Sequence, residues 1–151
     1  VLVEPEIPQN TGNIARTCAA TNTTLHLVRP LGFNIDEKSV RRAGLDYWRY
    51  VDLIVHDSLD KFLSEYGNAR LFLATTHGDN CYTDFEYEDG DMFLFGRETR
   101  GLPKELIGNY NDTAIRIPMS ENTRLRSLNL ANSVNIVLFE ALRQNGFPGL
   151  L

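Results

Sequence analysis

The sequence lacks the residues that would place it in several large classes. Its two cysteines, Cys18 and Cys81, lie far apart and form no C-x-x-C pair. That excludes a disulfide framework and a structural zinc, and fits a reduced, cytoplasmic protein. No run of about eighteen apolar residues occurs, so no membrane-spanning helix is expected. The opening VLVEPEIPQN has no basic n-region and no long apolar core, which argues against a secretory signal. It also lacks an initiator Met and begins inside an apparent strand, so a few trimmed residues are expected. No group of Asp, Glu and His stands at ligand spacing, and no metal is expected. The G-x-G-x-x-G of dinucleotide-binding folds is missing: after the first strand the chain reads EPEIPQNTGNIAR, with Gly12 its one glycine. Walker A, H-E-x-x-H and G-x-S-x-G are also missing, which sets aside those NTPase, zinc-protease and hydrolase classes.

What is present describes an ordinary globular chain of 151 residues, 42% apolar and 23% charged, long enough for one domain spanning 1–151. The net charge of −5 argues against a nucleic-acid partner on the sum alone. The distribution argues the other way. Asp84, Glu86, Glu88, Asp89 and Asp91 crowd one stretch, expected to be a solvated loop, while twelve of the fifteen basic residues are arginine. Arginine's planar fork suits phosphate better than lysine's point charge. Close pairs at Arg41 and Arg42, Arg97 and Arg100, and Arg124 and Arg126 lie beside Gly- and Asn-rich loops and point to an anionic partner.

Short apolar runs alternate with helical patterns. Strands are expected at Val1–Glu4, Leu25–Val28, Leu53–Val55, Leu71–Thr75, Met92–Phe95 and Ala114–Ile117. Helices are expected near Thr11–Thr21, Asp36–Arg42, Ser58–Tyr66, Lys104–Ile107 and Ser127–Gln144. This alternation predicts an α/β fold, a mostly parallel sheet with helices on both faces. In the last helix Leu128, Ala131, Val134, Leu138 and Ala141 form one stripe, with Ile136, Val137 and Phe139 off it. Apolar residues on two sides predict packing on both, most simply in a homodimer.

The stretch LFGRETRGLP, Leu94–Pro103, follows an apolar strand with two glycines, two arginines, a glutamate and a proline. Glycine permits positive φ and close backbone approach, and proline can open a helix. Special residues also gather at Asn10–Arg16 and Ile117–Asn129. Ligands of open parallel sheets lie beyond the carboxyl ends of the strands, so the late loops are the expected pocket.

NTGNIAR (Asn10–Arg16), LFGRETRGLP and IPM…RSLNLANSVNIVLFEALRQ (Ile117–Gln144) resemble the three motifs of SPOUT-class RNA ribose 2′-O-methyltransferases. The intervening RRAGLDYW and the short length resemble the minimal members, the tRNA (cytidine/uridine-2′-O-)-methyltransferases that act on the wobble nucleotide. The resemblance spans essentially the whole chain. It implies a deep C-terminal trefoil knot, an S-adenosylmethionine pocket built by that knot, a homodimer packed through the last helix, and an anticodon stem-loop of tRNA-Leu type as substrate. S-adenosylhomocysteine would be the product.

By similarity, Ala74, Gly96, Ile117 and Ser127 line the cofactor site, with Thr75, Met119 and Leu128 as neighbours. Arg16 corresponds to the family's catalytic arginine, and Asn10, Glu98, Ser127 and Asn129 to the remaining catalytic positions. A guanidinium hardly deprotonates, so a role for Arg16 in holding phosphate or stabilising an alkoxide is favoured over that of a base. Plainer roles also fit: a helix cap for Asn10 or Ser127, a salt bridge from Glu98 to Arg97 or Arg100, and a satisfied polar helix residue for Asn129. His77 is left aside as a lone loop histidine. Arg16, Arg41, Arg42, Arg124 and Arg126 are expected to contact RNA. The rival readings are a ribosomal RNA ribose methyltransferase, which often carries an added substrate domain, and a non-catalytic RNA-binding module on the same scaffold.

Overall fold

The apolar runs fold as parallel strands, within a residue or two of the expected bounds. The computed structural model describes residues 1–36, 38, 46–122, 124 and 127–151. Among these, seven strands form: β1 (Leu2–Val3), β2 (Leu25–Val28), β3 (Leu53–His56), β4 (Leu71–Ala74), β5 (Asn80–Cys81), β6 (Met92–Leu94) and β7 (Ala114–Arg116). The helices are α1 (Pro8–Ala20), α2 (Leu59–Tyr66), α3 (Lys104–Asn109) and α4 (Leu130–Gln144), with single 3-10 turns at Trp48–Tyr50 and Asn111–Thr113. The helix expected at Asp36–Arg42 lies largely outside the described residues.

One half of the sheet runs β1-β2-β3 and the other β5-β7-β4-β6, with every described pairing parallel. A parallel bridge between Leu2 and Phe95 joins them, with Val3 N donating to Phe95 O at 2.8 Å and Phe95 N to Val1 O at 2.9 Å. The combined order is therefore β3-β2-β1-β6-β4-β7-β5. β5 is absent from the sequence expectation because Asn80–Cys81 is short and polar; its pairing with β7 creates it.

Strand side chains alternate between faces, so β1, β2, β4 and β6 each feed two cores. Leu2, Leu27, Phe72 and Phe95 join Ile14, Cys18, Ala131, Val134, Val137 and Ala141 under α1 and α4. Val3, Val28, Leu71, Leu73 and Leu94 join Phe62, Leu102 and Leu106 under α2 and α3. Removing a ring such as Phe62 or Phe72, each essentially inaccessible, would cost about 3–5 kcal/mol.

Two local expectations change. Val137, placed off the buried stripe by sequence, is wholly buried against the sheet, while Phe139 is 46% exposed. The acidic stretch is not merely solvated. Asp84, Glu86, Glu88 and Asp89 are exposed, whereas the Asp91 side chain is buried and Tyr87 packs inward against Phe72 and Phe93. Asp84 accepts from Cys81 N at 2.7 Å, and Asp91 accepts from Glu88 N at 2.8 Å while pairing with Arg70.

Under α2 lies a polar exception to the core. His26 of β2 and His56 of β3 are both buried, with His26 Nδ1 2.9 Å from His56 Nε2, the two rings parallel to each other and edge-on to Phe62 and Tyr66. Burial, with His56 adding repulsion, pushes the His26 ring down to about 4. An unfolded His26 takes up its proton near its ordinary value of about 6.5, so between those values the unfolded chain binds more protons. Stability is therefore whole above about pH 6.5 and falls as pH drops toward 4, by at most about 3 kcal/mol from this group. Urea denaturation across that window should show the fall, and His26→Leu should flatten it; an identical slope in the variant would remove His26 as the cause.

Candidate active site

The sheet order sets β6, β4 and β7 side by side, so the residues just beyond their carboxyl ends share one edge. These include Ala74 and Thr75 after β4, Gly96 after β6, and Ile117 after β7. Ala74 is level with Ile115, and Thr75 N donates to Ile115 O at 2.9 Å. The Thr75 hydroxyl accepts from His77 N at 3.3 Å. Ala74 and Ile117 are half-buried, while Met119 and Leu128 expose apolar side chains at 36% and 39%. Small residues beside accessible apolar ones make an edge suited to a flat heteroaromatic ring.

Gly96 is buried, and a Cβ there would lie 2.0 Å from the carbonyl carbon of Gly101 and 2.1 Å from Leu102 N. Any side chain would force the loop apart. The loop closes on itself: Arg97 N donates to Gly101 O at 3.2 Å and Gly101 N to Arg97 O at 2.8 Å, with Gly101 at φ +69°. The two glycines thus have separate reasons, contact for Gly96 and backbone conformation for Gly101.

Helix α1 begins after Ile7 with Pro8 in its first turn and no side-chain cap of its own. Its cap comes from the other half of the sheet. The Glu98 carboxylate accepts from Glu6 N at 2.8 Å through Oε2, and from Ile7 N at 3.0 Å and Asn10 Nδ2 at 3.3 Å through Oε1. A carboxylate at a helix N-terminus meets both unpaired N–H groups and the positive end of the helix dipole. The exchange is mutual, because the Glu6 carboxylate accepts from Thr99 N at 3.1 Å and from Thr99 Oγ1 at 2.8 Å. Arg97 forms an ion pair with Glu4.

Asn10 extends the chain of bonds. Its Oδ1 accepts from Asn129 Nδ2 at 3.0 Å, and Asn129 Oδ1 accepts from Ala131 N at 2.9 Å and Asn132 N at 3.3 Å. Asn129 is therefore the cap of α4, and the helix starts at Leu130 rather than Ser127. Glu98, Asn10 and Asn129 form one continuous polar line joining the three sequence motifs. Neither plain role suggested for Glu98 and Ser127 holds: Glu98 bonds backbone rather than Arg97 or Arg100, and Ser127 precedes the cap.

Arg16 lies on the exposed side of α1, its guanidinium 4.7 Å from the Tyr47 ring centroid. It does not join the Glu98–Asn10–Asn129 line. Ser127 is exposed beside Leu128, and Arg124 is exposed with its backbone N donating to Asn122 Oδ1 at 3.1 Å. Arg41, Arg42 and Arg126 lie outside the described residues. Glu6 and Thr99 were missed by sequence reasoning. Their bond spans 93 positions, and nothing local to either residue signals it.

The model of the SpoU rRNA Methylase family matches residues 1–139. The chain belongs to this family. A SpoU-family relative in Bacillus subtilis (strain 168) is 54% identical over 153 residues, covering 99% of this chain and 94% of its own. One from Burkholderia cenocepacia (strain HI2424), named tRNA (cytidine(34)-2′-O)-methyltransferase, is 49% identical over 152 residues, covering 99% and 96%. A solved structure described as giving insights into the 2-OH methylation of C/U34 on tRNA superposes with a TM-score of 0.88 at 45% identity, covering 96% of this chain and 93% of that one. An AdoMet-bound rRNA methyltransferase from Sinorhizobium meliloti superposes at 0.78 with 26% identity, covering 94% of this chain but 54% of its own.

The clasp has a measurable worth. Glu98→Ala leaves the N–H groups of Glu6 and Ile7 without their acceptor, and should lower stability by about 1–3 kcal/mol. Glu98→Gln keeps an acceptor oxygen and should lose less. Urea midpoints for both variants check this, and equal, negligible losses would show that water replaces the carboxylate freely.

Proposed function

We propose that this SpoU-family chain transfers the methyl group of S-adenosylmethionine to the ribose 2′-hydroxyl of the wobble cytidine or uridine in tRNA. The observation that carries this reading is a match at about half identity, over essentially the whole chain, to relatives named for that reaction. The ribosomal RNA reading is less favoured, since the tRNA-named relative is 49% identical and the rRNA enzyme 26%.

The open carboxyl edge fits the cofactor. Ala74, Gly96 and Ile117 would stand beside it, Met119, Leu128 and Ile117 would offer apolar walls for adenine, and Thr75 and Ser127 would be polar neighbours. S-adenosylmethionine supplies an electrophilic methyl carbon on a sulfonium. The protein's task is to align the ribose oxygen with it and to accommodate the proton and charge that leave. Both Glu98 oxygens are already engaged by Glu6, Ile7 and Asn10, so Glu98 serves by positioning rather than by taking a proton. Asn10 and Asn129 carry that positioning to α4. Arg16 and Ser127, both exposed, are the members of the set left to meet substrate. Arg16 would hold phosphate or stabilise the developing alkoxide as a permanent cation.

The remaining parts of the reading are a single domain, a C-terminal trefoil knot of the SPOUT kind, cytoplasmic residence, and a homodimer. No helix among the described residues is long and apolar enough to cross a membrane. Phe139 of α4 and Tyr50, 64% exposed, are large apolar surfaces that a second copy would cover. With Val137 in the core, Phe139→Glu is the informative interface change. It should shift sedimentation from dimer toward monomer at micromolar concentration with the fold retained, and an unchanged dimer would place the interface elsewhere.

Catalysis and binding separate by mutation. Gly96→Val should abolish S-adenosylmethionine binding in calorimetry, because its side chain overlaps the Gly101–Leu102 backbone. Arg16→Ala should keep cofactor affinity while single-turnover methylation at saturating RNA falls by two orders of magnitude or more, roughly the worth of a lost transition-state contact. The same tRNA with a 2′-deoxyribose at the wobble position should be inert. Its methylation, or full activity in Arg16→Ala, would overturn the assignment.

A further inference from the structure

The loop that carries Glu98 has a second side. A cavity of about 340 Å³ opens where β1 and β6 end, lined by Glu4, Arg97, Arg100, Gly101 and Lys104 over a floor that includes Leu102. Three of its lining residues are cations, in a chain whose net charge is −5. In the sequence Arg97 and Arg100 are one of three arginine pairs that point to an anionic partner, but they are not among the expected RNA contacts, and Lys104 is not singled out.

These cations differ in their partners. Arg29, Arg70 and Arg143 each pair with an acid, and Arg116 is held by the carbonyls of Gly78 and Asp79. Arg97 is fixed by Glu4, itself held at φ +53°, an uncommon backbone conformation for a glutamate. Arg100 and Lys104 are exposed, and among the described residues neither has a carboxylate partner. Glu98 and Glu6 do not line the cavity, and their carboxylates are engaged in the clasp. Glu105 does not line the cavity. The cleft therefore carries a net positive charge that nothing in it neutralises.

The backbone of Gly101 faces open space, with nothing within 4 Å of where a Cβ would stand, so a ligand can approach the main chain there. No aromatic ring lines the cleft, so it has no stacking platform for a base. Cations without a stacking surface suit a phosphodiester.

We propose that this cleft binds a backbone phosphate of the RNA substrate, with Arg100 and Lys104 as the contacting cations and Arg97 as a charge anchored by Glu4. The inference rests on the tRNA-methyltransferase reading and adds to it a docking point on the loop that also lines the cofactor edge through Gly96. A phosphate held there ties the RNA to the same rigid loop that positions Glu98, so substrate register and site geometry are set by one element.

The test uses the full chain and an anticodon stem-loop RNA, with affinity measured from low to moderate salt. Each lost phosphate contact should flatten the slope of log K against log salt by roughly 0.7, the value for single strands. Arg100→Ala and Lys104→Ala should each do so and raise the KM for RNA several-fold. The S-adenosylmethionine affinity and the single-turnover rate at saturating RNA should persist, and Lys104→Arg should retain the wild-type slope. Slopes of the double variant that superpose on wild type would overturn the proposal. So would weak binding of inorganic phosphate that the variants lose while their RNA slopes stay unchanged, which would mark a small-anion site. Failure of the underlying reading is separate: it would appear as wild-type protein that never methylates the wobble ribose, whatever its salt slope.

Discussion

The structure depends on one carboxylate set at the start of one helix. α1 has no local cap, and Glu98 supplies it across 91 positions while the neighbouring Glu6 returns the favour to Thr99. Each interaction is of ordinary strength, about 1 kcal/mol net for a hydrogen bond and somewhat more where a charge takes part. Their value lies in arrangement. One loop, closed between Arg97 and Gly101, is locked to the segment that leads into α1, and through Asn10 and Asn129 to the beginning of α4. Three stretches distant in sequence thereby act as one rigid edge, the condition for holding two reactants in line.

The sequence made the strands plain because buried parallel strands read as unbroken apolar runs, and LHLV and LFLA could hardly be anything else. The carboxyl-edge loops were legible for a related reason: a density of glycine, proline and polar residues after such runs marks connections with special geometry. What stayed hidden was decided by contacts far along the chain. Ser127 and Asn129 are both acceptable caps, and the bond from Asn129 to Asn10, 119 positions away, decides between them. Glu98 sits between two arginines, so local reading offers a salt bridge, yet the backbone of Glu6 and Ile7 takes the carboxylate instead. Val137 was misplaced because a helix with apolar residues nearly all round has no stripe that periodicity alone can choose.

The family motifs gave the candidate residues, and the geometry sorts them. Asn10, Glu98 and Asn129 spend their polar atoms on one another and on backbone. Arg16 and Ser127 stand clear of that network. A motif residue can therefore be indispensable without touching a reacting atom, since fixing a loop to within a fraction of an ångström is itself a contribution to rate.

The placement of β1 has a consequence for how the chain comes into being. It is the earliest of the described strands along the chain, yet it lies in the middle of the sheet, and its second neighbour is the bridge at Phe95. A growing polypeptide that has produced β1, β2 and β3 carries a three-stranded sheet whose β1 edge stays open until Phe95 follows. The helix that seals the face above Leu2 and Ile14 is the last of the described helices. Everything from β1 to α4 must therefore leave the ribosome before β1 is fully covered, and β1 is open to mispairing with other chains throughout that stretch of synthesis.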